Sequence, residues 1–207
     1  MKIGLVSATK EEVIPLFERF ESQENIDFIV TGAGIPATVM SLTERVMTVK
    51  YDLLINVGIA GTFKYDIQLG DVFEVVTDTF GDLGAETKDG SILTLNELGL
   101  NAATYSSDGF YNGTQSFSLP EAKAITVNQC HGESSSIVRA QRKFGAELES
   151  MEGAAFMMVC NYFKIPLYTQ IRSVSNYVEP RNKLKWNIPL AVQTLNEAVE
   201  KILLQYA

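Results

Sequence analysis

The sequence predicts an α/β protein: a three-layer α/β/α sandwich around a central mixed, mostly parallel sheet. Short apolar, β-branched runs alternate with stretches of helical periodicity at both ends of the chain, the pattern of strands crossed over by helices. The middle of the chain breaks this pattern with Gly, Asn, Ser and Asp, so the order belongs to the two flanks. With 207 residues, 46% of them hydrophobic, the chain is long enough for a sizeable core, and 1–207 reads as a single domain.

Lys2 to Ala8 reads as a buried strand and Lys10 to Phe20 as a helix opened by Thr9, with Pro15 marking a kink. Ile26 to Thr31 is a second strand and Pro36 to Lys50 a helix with proline at its start. Asp52 to Val57 is a third strand, ending in the turn Gly58-Ile59-Ala60-Gly61, and Asp71 to Phe80 a long one rich in Val, Phe and Thr. Gly81 to Pro120 is expected to be loop and lid with short elements. Then follow a strand at Lys123 to Asn128, a helix at Glu133 to Phe144 and a short strand at Glu147 to Ser150. Met151 to Phe163 is a helix apolar on more than one face, which belongs between layers. Leu167 to Val174 is a strand, and Trp186 to Tyr206 the closing helix. Ligands of such sheets bind beyond the carboxyl ends of the strands, so the turns after Ala8, Thr31, Val57, Asn128 and Val174 should converge.

Composition excludes several classes. A net charge of -8 and a pI near 4.8 disfavour a nucleic-acid partner, which needs clustered Lys and Arg; the nearest basic run, Arg181 to Lys185, is short. Two cysteines, Cys130 and Cys160, and a single histidine, His131, cannot supply four Cys/His zinc ligands, and suggest a reduced compartment. The N-terminal MKIGLVSA is too short for a signal segment, and no run approaches 18 apolar residues, so a cytoplasmic protein without membrane contact is expected.

Four local patterns carry chemistry. Gly32-Ala-Gly34-Ile-Pro-Ala37 has the spacing of a dinucleotide fingerprint, but Asp52 begins its strand instead of ending it, so the glycines read as a tight turn with free N–H groups facing a ligand or water. Thr9-Lys-Glu-Glu12 has capping-box spacing, which also places the Glu12 carboxylate on the rim of the sheet. His131 stands near Ser134, Ser135 and Ser136, without the elbow of a serine nucleophile. Glu149 and Glu152 enter the apolar helix, either as first-turn anions favoured by the helix dipole or as groups that hold something.

The segments KIGLVSATKEEV, INVGIAG, SMEGAAFMMVC and IRSVSN together resemble the nucleoside phosphorylase and nucleosidase superfamily over essentially the whole chain. The tail NYVEPRNKLKWNIPLA is similar to the futalosine hydrolase branch. The resemblance implies a nucleoside phosphorylase/hydrolase-like fold, no cofactor or metal, a small-molecule nucleoside substrate and a homo-oligomer. It implies Glu12 as the base that activates water, with Glu152 under the ribose hydroxyls and Met151 against the sugar. Ser175 would orient Asn176, Arg172 would organise the polar network near Glu12, and Ile59, Ala60, Gly61, Cys130 and His131 would border the base. Thr9 stands where the family often has Met, and the first loop has no phosphate-binding arginine, which favours water as nucleophile. Adenine-releasing relatives have Asp where this chain has Asn176; an amide donates to N7 and to a 6-oxo group, so the implied product is hypoxanthine from futalosine. The alternatives are a methylthioadenosine/S-adenosylhomocysteine nucleosidase, a 6-oxopurine phosphorylase, or a nucleoside-binding module without turnover.

Overall fold

Two unusually long strands determine the architecture. The computed structural model describes residues 1–100, 110–111 and 117–206. In chain order the strands are β1 (Ile3–Ser7), β2 (Ile26–Val30), β3 (Leu53–Thr62), β4 (Val72–Phe80), β5 (Gly84–Glu86), β6 (Ile92–Thr94), β7 (Phe110–Tyr111), β8 (Glu121–Thr126), β9 (Leu148–Ser150) and β10 (Leu167–Tyr177). The helices are α1 (Ile14–Phe20), α2 (Ile35–Thr48), α3 (Ser134–Phe144), α4 (Gly153–Tyr162) and α5 (Ile188–Leu203), with a 3₁₀ turn at Lys183–Lys185.

The first half of β3 pairs in parallel with β1, and its last two residues pair on the same edge with β9. Its other edge carries β10 throughout, in parallel. β10 pairs antiparallel with β4, β4 parallel with β8, and β8 parallel with β9. The sheet is therefore mixed and mostly parallel, as expected, but it also closes into a ring through β3, β10, β4, β8 and β9, with β1 and β2 as an open wing. Closure satisfies edges that an open sheet would leave exposed.

Helices cover both faces. α2 and α4 enclose one core, which includes Leu42, Leu54, Phe156 and Val174. α1 and α5 enclose the other, built from Leu5, Leu16, Ile55, Leu195 and Val199. The all-round apolarity of α4 follows from this position: Gly153, Ala154, Ala155, Phe156, Met157, Val159 and Cys160 are all buried.

Four expectations change. The first helix begins at Ile14, and Pro15 occupies its first turn, where a missing N–H costs nothing; the proline is a start signal and not a kink. The segments Gly58–Gly61 and Ser175–Tyr177 are not turns but continue β3 and β10, with a bulge at Ser175. The helix expected at Met151 begins at Gly153, with Glu152 at the N-cap position. Glu149 lies in β9, so it has no first-turn dipole role. The expected lid contains the β5–β6 hairpin; 101–109 and 112–116 lie outside the described residues.

Beneath the start of α4 lies a buried polar knot. Asp78 accepts from Thr126 Oγ1 at 2.9 Å and from Gln170 Nε2 at 3.0 Å, while Thr126 Oγ1 accepts from Ala154 N at 2.8 Å. Gly153 is required here because a Cβ would lie 2.1 Å from Gln170 Oε1 and 2.2 Å from Asp78 Oδ2. Gln170 Oε1 has no hydrogen-bond partner among the described residues. Burial is the largest influence on Asp78 and raises its pKa from 3.8 to about 6, against the hydrogen bonds and the charge of Arg172.

A raised carboxyl pKa favours the folded state below about pH 4 and loses that contribution as pH rises through 6, by roughly 3 kcal/mol for a shift of about two units. Asp78→Asn keeps the Thr126 bond and lets Gln170 reverse its amide to satisfy Oε1. We predict that its melting temperature gains on the native protein between pH 4 and 6 and keeps a constant advantage above pH 6. Melting curves across pH 4 to 8 check this, and a pH-independent offset would contradict it.

Candidate active site

Several strand ends deliver polar groups to a common cleft of about 1250 Å³. After β1 the chain makes a tight turn, Val13 N to Lys10 O at 3.0 Å, which turns Glu12 inward instead of into a helix. Glu12 Oε2 accepts from Thr9 N at 3.0 Å and from Thr9 Oγ1 at 3.2 Å, and Oε1 accepts from Ile59 N at 3.2 Å. The first of these is the capping-box bond, without the helix that would give it a capping purpose. Asn196 on α5 holds the Glu12 carbonyl at 2.8 Å, so the carboxylate is fixed from both ends.

Arg172 lies opposite Gly58 in the β3–β10 register. A Cβ on residue 58 would stand 3.0 Å from Glu12 Oε1 and 3.1 Å from Arg172 Nη1, so this glycine allows carboxylate and guanidinium to approach over one backbone position. Arg172 is 1% exposed and donates to Asn56 Oδ1 and, at 3.4 Å, to Ile171 O. Burial lowers its pKa, and the charges of Glu152, Glu12 and Asp78 act in the opposite sense.

Across the cleft, Glu152 Oε1 accepts the Gly34 N–H at 2.9 Å. The turn Gly32–Ala37, expected to offer free N–H groups to a ligand, thus spends one of them on a carboxylate. Gly34 has φ of 90°, which glycine adopts without strain. Burial raises the Glu152 pKa, with Arg172 and the Gly34 bond opposing.

The β10 bulge at Ser175 and the residue after it, Asn176, supply the next polar groups. Ser175 Oγ lies within hydrogen-bonding distance of Asn176 Oδ1, 2.8 Å, and Ala60 O, 3.2 Å, while Asn176 Nδ2 donates to Tyr177 O at 3.1 Å. This sets the amide oxygen toward Ser175 and leaves one N–H of the NH₂ group unspent. His131 contacts Glu149 twice: its backbone N–H donates to Oε1 at 3.0 Å and Nδ1 pairs with Oε2. Desolvation, with Glu149 and Glu152 adding, pushes the Cys130 thiol up to about 11, so it is no thiolate nucleophile at neutral pH. Ser135 and Ser136 hydroxyls donate to Glu133, not to His131.

Of the sequence-predicted residues, Glu12, Ile59, Ala60, Gly61, Cys130, His131, Met151, Glu152, Ser175 and Asn176 all line this one cleft. Arg172 is not among them; it lies buried behind the wall. Arg181 is the one Lys or Arg lining the cleft among the described residues, and its guanidinium sits 5.1 Å from the Trp186 ring centroid. The residues that sequence reasoning missed are Asn56 and Asn196, and Gly34 was read without its Glu152 partner. A signal existed for the first two, as lone amides within apolar periodicity. No group of three or more potential metal ligands occurs among the described residues, and no described helix is long and apolar enough to cross a membrane.

A model of the phosphorylase superfamily matches residues 23–204. The chain is 29% identical over 155 residues to futalosine hydrolase of Streptomyces coelicolor, covering 73% of this chain and 65% of that protein. It is 28% identical over 207 residues to the 5′-methylthioadenosine/S-adenosylhomocysteine nucleosidase of Shewanella halifaxensis, covering 85% and 86%. Among solved structures, futalosine hydrolase of Helicobacter pylori superposes with a TM-score of 0.83 at 16% identity, covering 99% of this chain and 98% of that one. A family match over most of the length, on the fold that places these groups around one cleft, leads to one conclusion: the chain belongs to the phosphorylase superfamily.

Proposed function

We propose that the protein is a purine nucleosidase that hydrolyses the N-glycosidic bond of futalosine, releasing hypoxanthine and leaving the modified ribose. The carrying observation is the identity of residue 176: an amide whose oxygen is taken by Ser175 and whose NH₂ retains an N–H. Its free N–H donates to N7 or to a 6-oxo oxygen, an oxygen that an ionised carboxylate in the same place would repel. Relatives named futalosine hydrolase support the same reading.

In this reading Glu12 takes a proton from the attacking water, and its three donors hold the acceptor lone pairs in position. Glu152 accepts from the ribose hydroxyls with the oxygen not bonded to Gly34, and Met151 packs against the sugar. Positive charge develops at C1′ as the bond breaks, and fixed carboxylates in a desolvated site stabilise that state more than the neutral substrate. Arg172 keeps this acidic cluster from being a net repulsive one. Asn176 stabilises the departing base by hydrogen bonding, since it has no proton to give. Arg181, the one Lys or Arg lining the cleft among the described residues, suits the carboxylate of futalosine's aromatic tail, and a single such side chain argues against a phosphate site. Catalysis in this reading uses neither metal nor cofactor. A cytoplasmic homo-oligomer serving menaquinone biosynthesis completes it. The competing reading is a methylthioadenosine/S-adenosylhomocysteine nucleosidase, favoured by the longer alignment with such relatives.

Glu12→Gln is expected to bind futalosine within a few fold of the native protein while kcat falls by about 10²–10⁴-fold; calorimetry and steady-state kinetics measure the two, and near-normal turnover would remove Glu12 as the base. Asn176→Asp is expected to shift the ratio of kcat/KM from futalosine toward methylthioadenosine by about tenfold or more. An unchanged ratio would show that residue 176 does not read the base.

A further inference from the structure

Glu149 is 4% exposed and lines the cleft, yet the reaction above gives it no part. A buried carboxylate without a purpose is costly. We propose that Glu149 fixes the polarity of His131, and that His131 reads the purine on the edge opposite Asn176, admitting bases that carry a proton on N1. The proposal rests on the nucleosidase reading.

The register supplies the geometry. Gly61 pairs with Glu149 on β9 and with Asn176 on β10. Partners on neighbouring strands project from the same face, about 4.8 Å apart, so Glu149 and Asn176 stand roughly 10 Å apart across a residue without a side chain. The Glu149–His131 pair and Asn176 thus flank one slot, and a planar purine lying in it would meet a polar group at each edge. A Cβ on residue 61 would lie 3.0 Å from Asn176 Nδ2, and the floor of this slot depends on its absence.

Chemistry supplies the polarity. A carboxylate only accepts, so the His131 nitrogen facing it, Nδ1, carries the proton. The neutral ring then presents Nε2 as a bare acceptor, and Nε2 has no hydrogen-bond partner among the described residues. Phe63 meets the imidazole edge-on, with centroids 6.4 Å apart, which limits its rotation. Hypoxanthine has N–H at N1 and bonds to such an acceptor; adenine has a lone pair there and is repelled. His131 and Asn176 therefore select the same class of base from opposite edges.

Glu149→Gln tests this with an isosteric change. The His131 N–H keeps its acceptor at Oε1, which places the new NH₂ against Nδ1; Nδ1 must then accept, and the proton moves to Nε2. The chain has one histidine, so ¹⁵N-histidine labelling reports the tautomer without assignment. Spectra at a pH where the ring is neutral are recorded for both proteins, alone and titrated with free hypoxanthine or free adenine. The expected result is Nδ1–H in the native protein, with Nε2 shifted by hypoxanthine. In the variant, Nε2–H and a loss of preference for hypoxanthine over adenine of about tenfold or more are expected. Nε2–H in the native protein, an Nε2 resonance unmoved by hypoxanthine, or a flipped tautomer with unchanged preference would each overturn the proposal. The native protein alone gives the first two results should the variant fail to fold. Base binding needs no turnover, so a protein that prefers hypoxanthine through His131 yet cleaves no nucleoside would overturn the nucleosidase reading and leave the reader standing.

Discussion

A single buried guanidinium holds the site together electrostatically. Arg172 has almost no exposure, and Glu12, Glu152 and Asp78 all act on it, one from the turn after β1, one from the start of α4 and one from β4. Burying any one of these charges alone would be prohibitive; gathered around an arginine that keeps its proton, each is tolerated. Arg172 makes no contact short enough for an ion pair with any of them, and its hydrogen bonds go to Asn56 and the Ile171 carbonyl. It therefore acts as a distributed counter-charge, which leaves carboxylate oxygens free for chemistry instead of locking them in salt bridges.

The ring closure of the sheet is what lets so many elements reach one cleft. In an open parallel sheet, the useful crevice lies where the strand order reverses. Here β3 and β10 run several residues beyond their central pairing, and their extensions carry Gly58, Gly61, Ser175 and Asn176. β9 closes against the tip of β3 and brings Glu149 into the same wall. The glycines of β3 are spaces in this wall: Gly58 admits Glu12 and Arg172, and Gly61 admits Asn176. Rigidity comes from below, through the Asp78, Thr126 and Ala154 chain that pins the first turn of α4 and hence Met151 and Glu152.

Much of the fold was legible because its helices and strands are consistent at the level of local pattern. The apolar wrap of α4 announced a helix between layers, and the alternation at both ends announced the α/β class. Pro15 and the INVGIAG segment misled for a shared reason: proline and glycine punctuate local structure, but tertiary space decides what they punctuate. Glycines that read as a turn were strand positions emptied for a neighbouring side chain. The residues that the resemblance implied come together in space, ten of the eleven lining one cleft. What could not be read was pairing across long separations, such as Gly34 with Glu152 or His131 with Glu149, because nothing in either segment specifies which strand end lies opposite.

The most direct measurement of the central claim is base release, resolved by chromatography, from futalosine, inosine and methylthioadenosine, each with and without phosphate. The account predicts hypoxanthine from futalosine at a rate that phosphate does not change, with little or no adenine from methylthioadenosine. Adenine released preferentially from methylthioadenosine, or cleavage that requires phosphate, would contradict it.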